Sequence, residues 1–178
     1  MPLGRAGQTH GVGLRQRAYV WIEALDDRDA FDPNEITERF GIEPTEAWRR
    51  GDPHPRSDQP RRRSSWQFGS PASDEIDWNT MITGVLEPFQ PISSLVRVAC
   101  DEMNLAAGLM LVVEMEAENP APGEFDDGGW RVPVPGTQIS ANNIGAMAAL
   151  GLQFQAATYV YLPDELLSDT DSPPGLPS

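Results

Sequence analysis

The residues of this chain best suited to chemistry are carboxylates that recur at short spacing. Asp32 and Glu35 stand three residues apart, and such a pair can act as general acid and general base. The segment LMLVVEMEAE places Glu114, Glu116 and Glu118 on one face of a predicted strand, where three carboxylates suit a hard cation. Helix capping explains the pair, and a solvated sheet face explains the row. We favour these plainer interpretations.

The histidines and the cysteine lack the neighbours that nucleophilic catalysis requires. His10 falls in a segment without an apolar run and His54 in a proline-rich loop, so neither has a rigid platform. Cys100, the only cysteine, lies on an apolar helical stripe and is interpreted as a small buried hydrophobe. We therefore expect no enzymatic activity, no metal site and no cofactor. A carboxylate-dependent enzyme built on Glu23 or the Glu114 row is the remaining catalytic hypothesis.

Arginines and tryptophans cluster around a predicted loop over residues 51–63. Trp48 and Trp66 flank the arginines of this region, which are Arg49, Arg50, Arg56, Arg61, Arg62 and Arg63. Arginines beside aromatic rings can hold phosphate and stack on bases, although a run of charge is usually a solvated loop. The tryptophans are expected to fill a core or cover a sheet face. The alternative is a ligand-binding groove formed by Tyr19, Trp21, Trp48, Arg49, Arg50 and Trp66.

The charge of the chain indicates the kind of partner it suits. The 178 residues carry a formal net charge of −14, and from Asp101 onward twelve acidic residues stand against Arg131 alone. A field of this sign disfavours nucleic acid and membrane surfaces and favours a basic protein. We therefore predict a non-enzymatic protein-binding module of accessory or immunity type with an acidic surface. Nucleic-acid or phosphate binding through the arginine loop is the alternative, and the oligomeric state stays open.

A strand and a capped helix are the first elements that the sequence predicts. Residues 17–25, RAYVWIEAL, alternate with a period of two and are largely apolar on both faces, as in a central strand. Asp32 suits an N-cap, Pro33 the first helical position and Gly41 a left-handed terminus. These signals predict a helix over residues 33–40.

The remaining elements are predicted from the periodicity of apolar residues and from the glycines, prolines and capping residues that begin or end helices and strands. Strands are predicted over residues 45–50, 64–69, 109–118, 132–139 and 153–162, with the even residues of the last strand, from Phe154 to Val160, facing inward. Helices are predicted over residues 80–87, from Pro91 to Met103 and from Ser140 to Leu150. The order β-α-β-β-α-β-β-α-β is typical of an α+β fold of ferredoxin-like type, with an antiparallel or mixed sheet and helices on one face.

One domain over residues 17–162 is predicted, between an N-terminal tail of residues 1–16 and an acidic, proline-rich tail of residues 163–178. No apolar run approaches the roughly 18 residues that span a bilayer. With one cysteine and no secretory-type apolar segment at the start, we expect a cytoplasmic protein.

Four segments of this sequence resemble a bacterial family described as domain of unknown function 4279. They are DPNEIT, FGIEPTEAWRRGD, SSWQF and ISANNIGAMAALGLQFQAATYVYL. The resemblance covers residues 17–162 and places these residues at matching positions: Asp32, Pro33, Ile36, Thr37, Gly41, Pro44, Thr45, Trp48, Gly51 and Trp66. It implies the order of the elements, and it implies no activity or catalytic set, because the family has none established.

Overall fold

The computed structural model describes residues 14–26, 30–55, 58–73, 77–116 and 138–161. These residues form five strands, four α-helices and one 3₁₀ helix. In chain order the elements are β1 (Leu14–Ala24), α1 (Pro33–Phe40), β2 (Glu46–Trp48), β3 (Ser65–Gly69), α2 (Trp78–Leu86), the 3₁₀ helix (Glu87–Ile92), α3 (Ser93–Glu102), β4 (Leu105–Glu116), α4 (Ala141–Leu150) and β5 (Gln153–Tyr161).

The five strands form one mixed sheet in the order β2-β3-β1-β4-β5. The pairs β2–β3, β3–β1 and β1–β4 are antiparallel, and β4–β5 is parallel. β1 lies in the middle and pairs with β4 along its full length, from Leu14 opposite Met115 to Ala24 opposite Leu105. The prediction of a central first strand in an α+β fold is therefore confirmed.

The helices pack on one face of this sheet. Even-numbered residues of β1, from Ala18 to Ala24, and odd-numbered residues of β4, from Leu105 to Met115, are buried in the same cluster as the apolar residues of the helices. Trp66 is fully buried there, with its ring centroid 6.0 Å from those of Phe40 and Phe89 in edge-to-face contacts. Its Nε1 donates to the Thr37 hydroxyl at 3.1 Å, so the buried indole N–H is satisfied.

The helix ends form as the sequence predicts. The Asp32 carboxylate accepts from the Asn34 amide at the start of α1, and the Ser140 hydroxyl accepts from the Asn143 amide at the start of α4. Gly41 and Gly151 end the same two helices in the left-handed conformation, with φ of 65° and 71°. Side-chain capping and glycine termination therefore fix both helices at the predicted residues.

A polar network attaches α4 to α2. The Asn79 side chain accepts from the Ser140 amide at 2.8 Å, and the buried Asn143 side chain donates to the Asn79 carbonyl at 3.0 Å. The Thr83 hydroxyl donates to the Asn143 amide oxygen at 2.9 Å. Because only two residues separate the end of α4 at Leu150 from the start of β5 at Gln153, this network also positions β5 beside β4.

Several predicted boundaries were wrong. β1 begins at Leu14, so residues 14–16, assigned to the tail, are part of the central strand because they pair with β4. β4 begins at Leu105 rather than at residue 109, since the small residues before Leu109 pair with the end of β1. In the predicted strand over residues 132–139, Gln138 and Ile139 are not in a strand, and the remainder lies outside the described residues.

The predicted burial on β5 was also wrong. Phe154 and Val160 lie on the helix-facing side of the sheet, as their register with β4 requires, but each is 41% exposed. Ala156 and Thr158 between them are exposed as well. The alternation identified the side of the sheet correctly, but β5 lies at the edge among the described strands, and its helix-side residues are exposed where those of β1 and β4 are buried.

Truncation of Trp66 tests the centre of this core. We expect Trp66→Ala to lower the free energy of unfolding by about 3–5 kcal/mol, because it removes two ring contacts and leaves a large void. Urea unfolding followed by circular dichroism measures the loss. The control Trp48→Ala removes a half-buried ring and should cost less. Equal losses would contradict the assignment of Trp66 as the central packing residue.

Candidate functional site

The face of the sheet opposite the helices, here called the open face, presents odd-numbered residues of β1 and even-numbered residues of β4. Paired residues share a face, so Trp21 is aligned with Gln67 on β3 and with Gly108 on β4, which in turn pairs with Gln153 on β5. The adjacent row contains Tyr19 and its β4 partner Met110, with Gln155 beyond it. Aromatic and amide side chains from four strands therefore meet on this face.

Trp21 lies flat against the backbone of β4 at Gly108. A Cβ atom built on Gly108 would lie 2.4 Å from Cζ2 and 2.5 Å from Cε2 of the indole, closer than any real contact. Trp21 is 8% exposed, and its buried Nε1 has no hydrogen-bond acceptor within the described part of the chain. The Trp21 ring is therefore held by packing on the backbone of β4, and this close approach requires glycine at position 108 because any side chain there would meet the ring.

A shallow depression of about 390 Å³ surrounds Trp21. Its lining comprises Tyr19, Trp21, Glu23, Ala24, Leu25, Arg63, Gln67, Ala106, Met110, Gln153 and Gln155. The Glu23 carboxylate, with its side chain 28% exposed, lies 3.7 Å from the Arg63 guanidinium, which is a long ion pair. Burial raises the pKa of the Tyr19 phenol, against the lowering effect of Arg17, so this phenol is neutral near pH 7. The depression combines aromatic rings, amides and one carboxylate.

The six candidate residues do not form one groove. Tyr19 and Trp21 line the depression, and Trp48, which pairs with Ser65 opposite Glu23, lies at the edge of the open face. Trp66 is on the other side of the sheet and fully buried, as the core interpretation predicted. Neighbouring residues of a strand point to opposite faces of the sheet. Trp66 is paired with Ala47, the residue before Trp48 in β2, so Trp66 and Trp48 lie on opposite faces.

Arg49 has a structural contact at the start of α1. Its Nη2 donates to both oxygens of the Asp32 carboxylate at 2.7 Å, and its backbone amide donates to Asp52. The guanidinium bonds to Asp32, together with the bond from the Asn34 amide, hold the pKa of Asp32 below its usual value. Asp32 is therefore a cap and an ion-pair partner of Arg49. Arg50 is exposed, and its amide donates to the Ser64 hydroxyl.

A second hollow of about 340 Å³ lies in the arginine loop. It is lined by Trp48, His54, Gln59, Pro60, Arg61, Arg62 and Arg63. The Arg61 guanidinium carbon is 4.0 Å from the centroid of the Trp48 ring, a cation–π contact, while Arg62 donates to Gln59 at 3.4 Å. Arg63 lines both hollows, so they are neighbours on the surface.

The carboxylates considered for catalysis are far apart. Glu23 pairs with Ala106, eight residues before Glu114 on β4, a distance of roughly 26 Å along the strand. Across the described ranges, no group of three or more histidine, cysteine or acidic residues is arranged to hold a metal ion. Cys100 packs half-buried against the core, and burial raises the pKa of its thiol to about 11. Glu118 lies outside the described residues.

Sequence reasoning missed the β4 and β5 residues that line the depression, namely Ala106, Met110, Gln153 and Gln155, and it missed Gly108, against which the Trp21 ring packs. Gly108 lies before the predicted start of β4 at residue 109, so its pairing with Trp21 and Gln153 on the open face could not be predicted. The available signal was the alternation of β4 continued back through residues 105–108, with glycine at a position aligned with a tryptophan. Once β5 is known to pair with β4, Gln153 and Gln155 are placed beside Gly108 and Met110 on the open face.

The comparisons with known proteins give a family and no activity. The model of the family described as domain of unknown function (DUF4279) matches residues 16–161. The chain belongs to this family. No curated protein and no solved structure matches the chain. Among the described residues, none of the helices is long and apolar enough to cross a membrane. The DUF4279 match covers all of the strands from Gln16 onward, including every residue of the depression.

Substitution of Gly108 tests the contact beneath Trp21. We expect Gly108→Ala to lower the free energy of unfolding by about 1–3 kcal/mol, because the new methyl group must displace the indole or the strand. The matched control is Gly84→Ala in α2, where a Cβ would meet nothing within 4 Å and the helix should be slightly stabilised. Both are measured by urea unfolding. A Gly108→Ala variant as stable as the wild type would contradict this packing.

The pH dependence of stability tests the Asp32–Arg49 pair. The folded-state pKa of Asp32 is lowered from 3.8, so the carboxylate stabilises the fold above that pH and the contribution is lost as pH falls through the folded value. We expect Asp32→Asn to be less stable than wild type at pH 7, with the difference shrinking below about pH 4. Urea midpoints across this range measure it. Arg49→Gln should lose only part of this stability, because the Asp32 carboxylate still accepts from the Asn34 amide. A difference between Asp32→Asn and wild type that does not change with pH would refute the coupling.

Proposed function

We propose that this protein is a non-enzymatic protein-binding module that receives an arginine or lysine side chain of a basic partner in the depression around Trp21. The observation that supports it is the composition of the depression, which combines two aromatic rings, a methionine, three glutamines and the Glu23 carboxylate with Arg63 beside it. Aromatic and methionine residues at the centre with a polar rim are typical of protein interfaces. A cytoplasmic location in a bacterium belongs to the same proposal.

The chemistry of the open face suits a guanidinium or ammonium group. Two of the protein's own arginines already lie over aromatic rings there, Arg17 at 5.7 Å from the Tyr19 centroid and Arg61 at 4.0 Å from that of Trp48. An incoming cation would find the Glu23 carboxylate, which Arg63 engages only at 3.7 Å, and the rings of Tyr19 and Trp21. The site therefore offers a cation the Glu23 carboxylate and the half-buried ring of Tyr19, while the Trp21 ring, 8% exposed, forms part of the wall.

The overall charge supports a basic partner through long-range attraction. A net charge of −14 draws basic proteins toward the molecule and speeds their association, while close contacts decide which of them stays bound. We assign the attraction to the surface as a whole and the specificity to the depression. This division is consistent with an accessory or immunity-type role.

We also propose that the first four strands constitute a ferredoxin-like unit. It is supported by the order β2-β3-β1-β4, in which every neighbouring pair is antiparallel, and by helices between β1 and β2 and between β3 and β4. On this proposal α4 and β5 are an addition at the β4 edge. That addition supplies Gln153 and Gln155 to the depression.

The arginine hollow supports a second candidate, the binding of an anionic ligand such as phosphate or single-stranded nucleic acid. Three consecutive arginines and His54 share that hollow with a tryptophan, a composition suited to phosphate groups and stacked bases. Against it, Arg61 is stacked on Trp48, and Arg63 is shared with Glu23. We therefore place it second.

Titration with a labelled peptide tests the first proposal. The probe is a fluorescent glycine-serine peptide carrying three arginines, measured by anisotropy at about 150 mM salt, where long-range attraction is screened. We expect Glu23→Gln to weaken binding about tenfold, because it removes the charged partner of the bound guanidinium.

The matched control is Glu38→Gln, which removes the same charge from an exposed position on α1 and should change affinity less than about twofold. Equal weakening by both variants, or no binding by the wild type, would overturn the proposal. In a parallel arm, a labelled single-stranded oligonucleotide whose binding falls steeply with salt and is reduced by Arg62→Gln would favour the anionic-ligand alternative.

A further inference from the structure

The outer edge of β5 is the longest free strand edge in the described part of the protein. β5 has nine residues and pairs with β4 on one side only among the described strands. The opposite edge of the sheet is β2, which has three residues. An edge strand of this length presents a row of backbone donors and acceptors that another strand can pair with.

The nine residues of β5 include none of the charged or proline residues that usually protect such an edge. Its sequence, QFQAATYVY, contains no charged residue and no proline, whereas β2 at the other edge is short and begins with Glu46. Three large hydrophobic residues of β5 are exposed to solvent: Phe154 by 41%, Tyr159 by 52% and Val160 by 41%. They lie on both faces of the same strand, so pairing along the edge would shield all three.

We propose that β5 is a homodimer interface, in which a second copy of this chain pairs antiparallel with β5 across a two-fold axis perpendicular to the sheet. Such an axis keeps the helices of both copies on one side and gives a continuous ten-stranded sheet. The pairing supplies roughly one backbone hydrogen bond for each residue of the strand.

The positions of the exposed side chains select a register with Ala157 on the two-fold axis. In that register Phe154 faces the partner subunit's Val160 on the helix side, and Gln155 faces the partner subunit's Tyr159 on the open face. Each of the three exposed hydrophobic residues then has a cross-strand neighbour. Opposite residues must lie on the same face of the sheet, and this register satisfies that rule because all paired positions have the same parity.

The absence of charge on β5 points to a second copy as the occupant. Two molecules of net charge −14 repel each other, and they can approach most closely where both contribute an uncharged strand. A symmetric antiparallel pair also needs no partner sequence beyond that of β5 itself. Dimerisation would bring the partner subunit's Tyr159 next to Gln155, which lines the depression, so the open faces of both copies would form one surface.

Disulfide trapping tests the register. In a Cys100→Ala background, Ala157→Cys places two thiols opposite each other, at a Cα separation of roughly 4.5–5.5 Å that a disulfide can bridge. We expect rapid formation of a covalent dimer under mild oxidation. Gln155→Cys alone should not crosslink, whereas a mixture of Gln155→Cys and Tyr159→Cys proteins should. If Ala157→Cys crosslinks no faster than Ile144→Cys, an exposed position on α4, the register is wrong.

Sedimentation equilibrium tests the interface without engineered cysteines. We expect the wild type to be a dimer. Thr158 is exposed in the single chain and lies within the proposed interface, so Thr158→Lys places a charge there and should raise the dissociation constant of the dimer at least about tenfold. Ile144→Lys is the control with the same added charge and should leave the dimer intact. Circular dichroism establishes that both variants fold. A wild-type protein that stays monomeric at the highest concentration reached, or equal effects of the two lysines, would overturn the proposal.

Discussion

One-sided burial of the central strand is the constraint on which the rest of this structure depends. β1 directs Ala18, Val20, Ile22 and Ala24 into the core beneath the helices, and its pairing with β3 and β4 transmits that choice of face across the sheet. Because side chains alternate along a strand, Tyr19, Trp21 and Glu23 must then lie on the open face. The depression is therefore a direct consequence of how the core is built.

The fold was predictable wherever local rules act alone. The Asp-Pro start and glycine end of α1, and the serine start and glycine end of α4, specify their helices through neighbouring backbone groups, so no distant contact was needed. Strand ends depend on a partner strand instead. Leu14 and Leu105 belong to β1 and β4 because the two strands pair along their full length; the alternation of β4 reaches back to Leu105, but only the pairing fixes both strand ends.

The candidate site was predictable only in part, for a related reason. Tryptophan is suited to either a core or an open sheet face, and its surroundings in sequence do not decide which. Trp66 enters the core because β3 places it next to Phe40 and Phe89, whereas Trp21 remains on the open face because β1 turns it away from them. Only the pairing of strands shows that Gly108, with no side chain of its own, provides the surface on which Trp21 lies.

The charge of the open face differs from that of the whole chain, and this bears on how the molecule can select a partner. Among the described side chains of this face, the arginines Arg15, Arg17, Arg61 and Arg63 are at least as many as the acids, which are Glu23, Glu46 and Glu114. The large negative charge therefore resides elsewhere, where it acts over long distances and without geometric discrimination. On such a face each contact depends on the position of individual groups, and on the proposed function a cation would displace Arg63 from Glu23 only if it fitted beside Trp21. On the proposed function, attraction and selection are thus assigned to different surfaces, so that a basic protein would be drawn to the molecule without being retained by it.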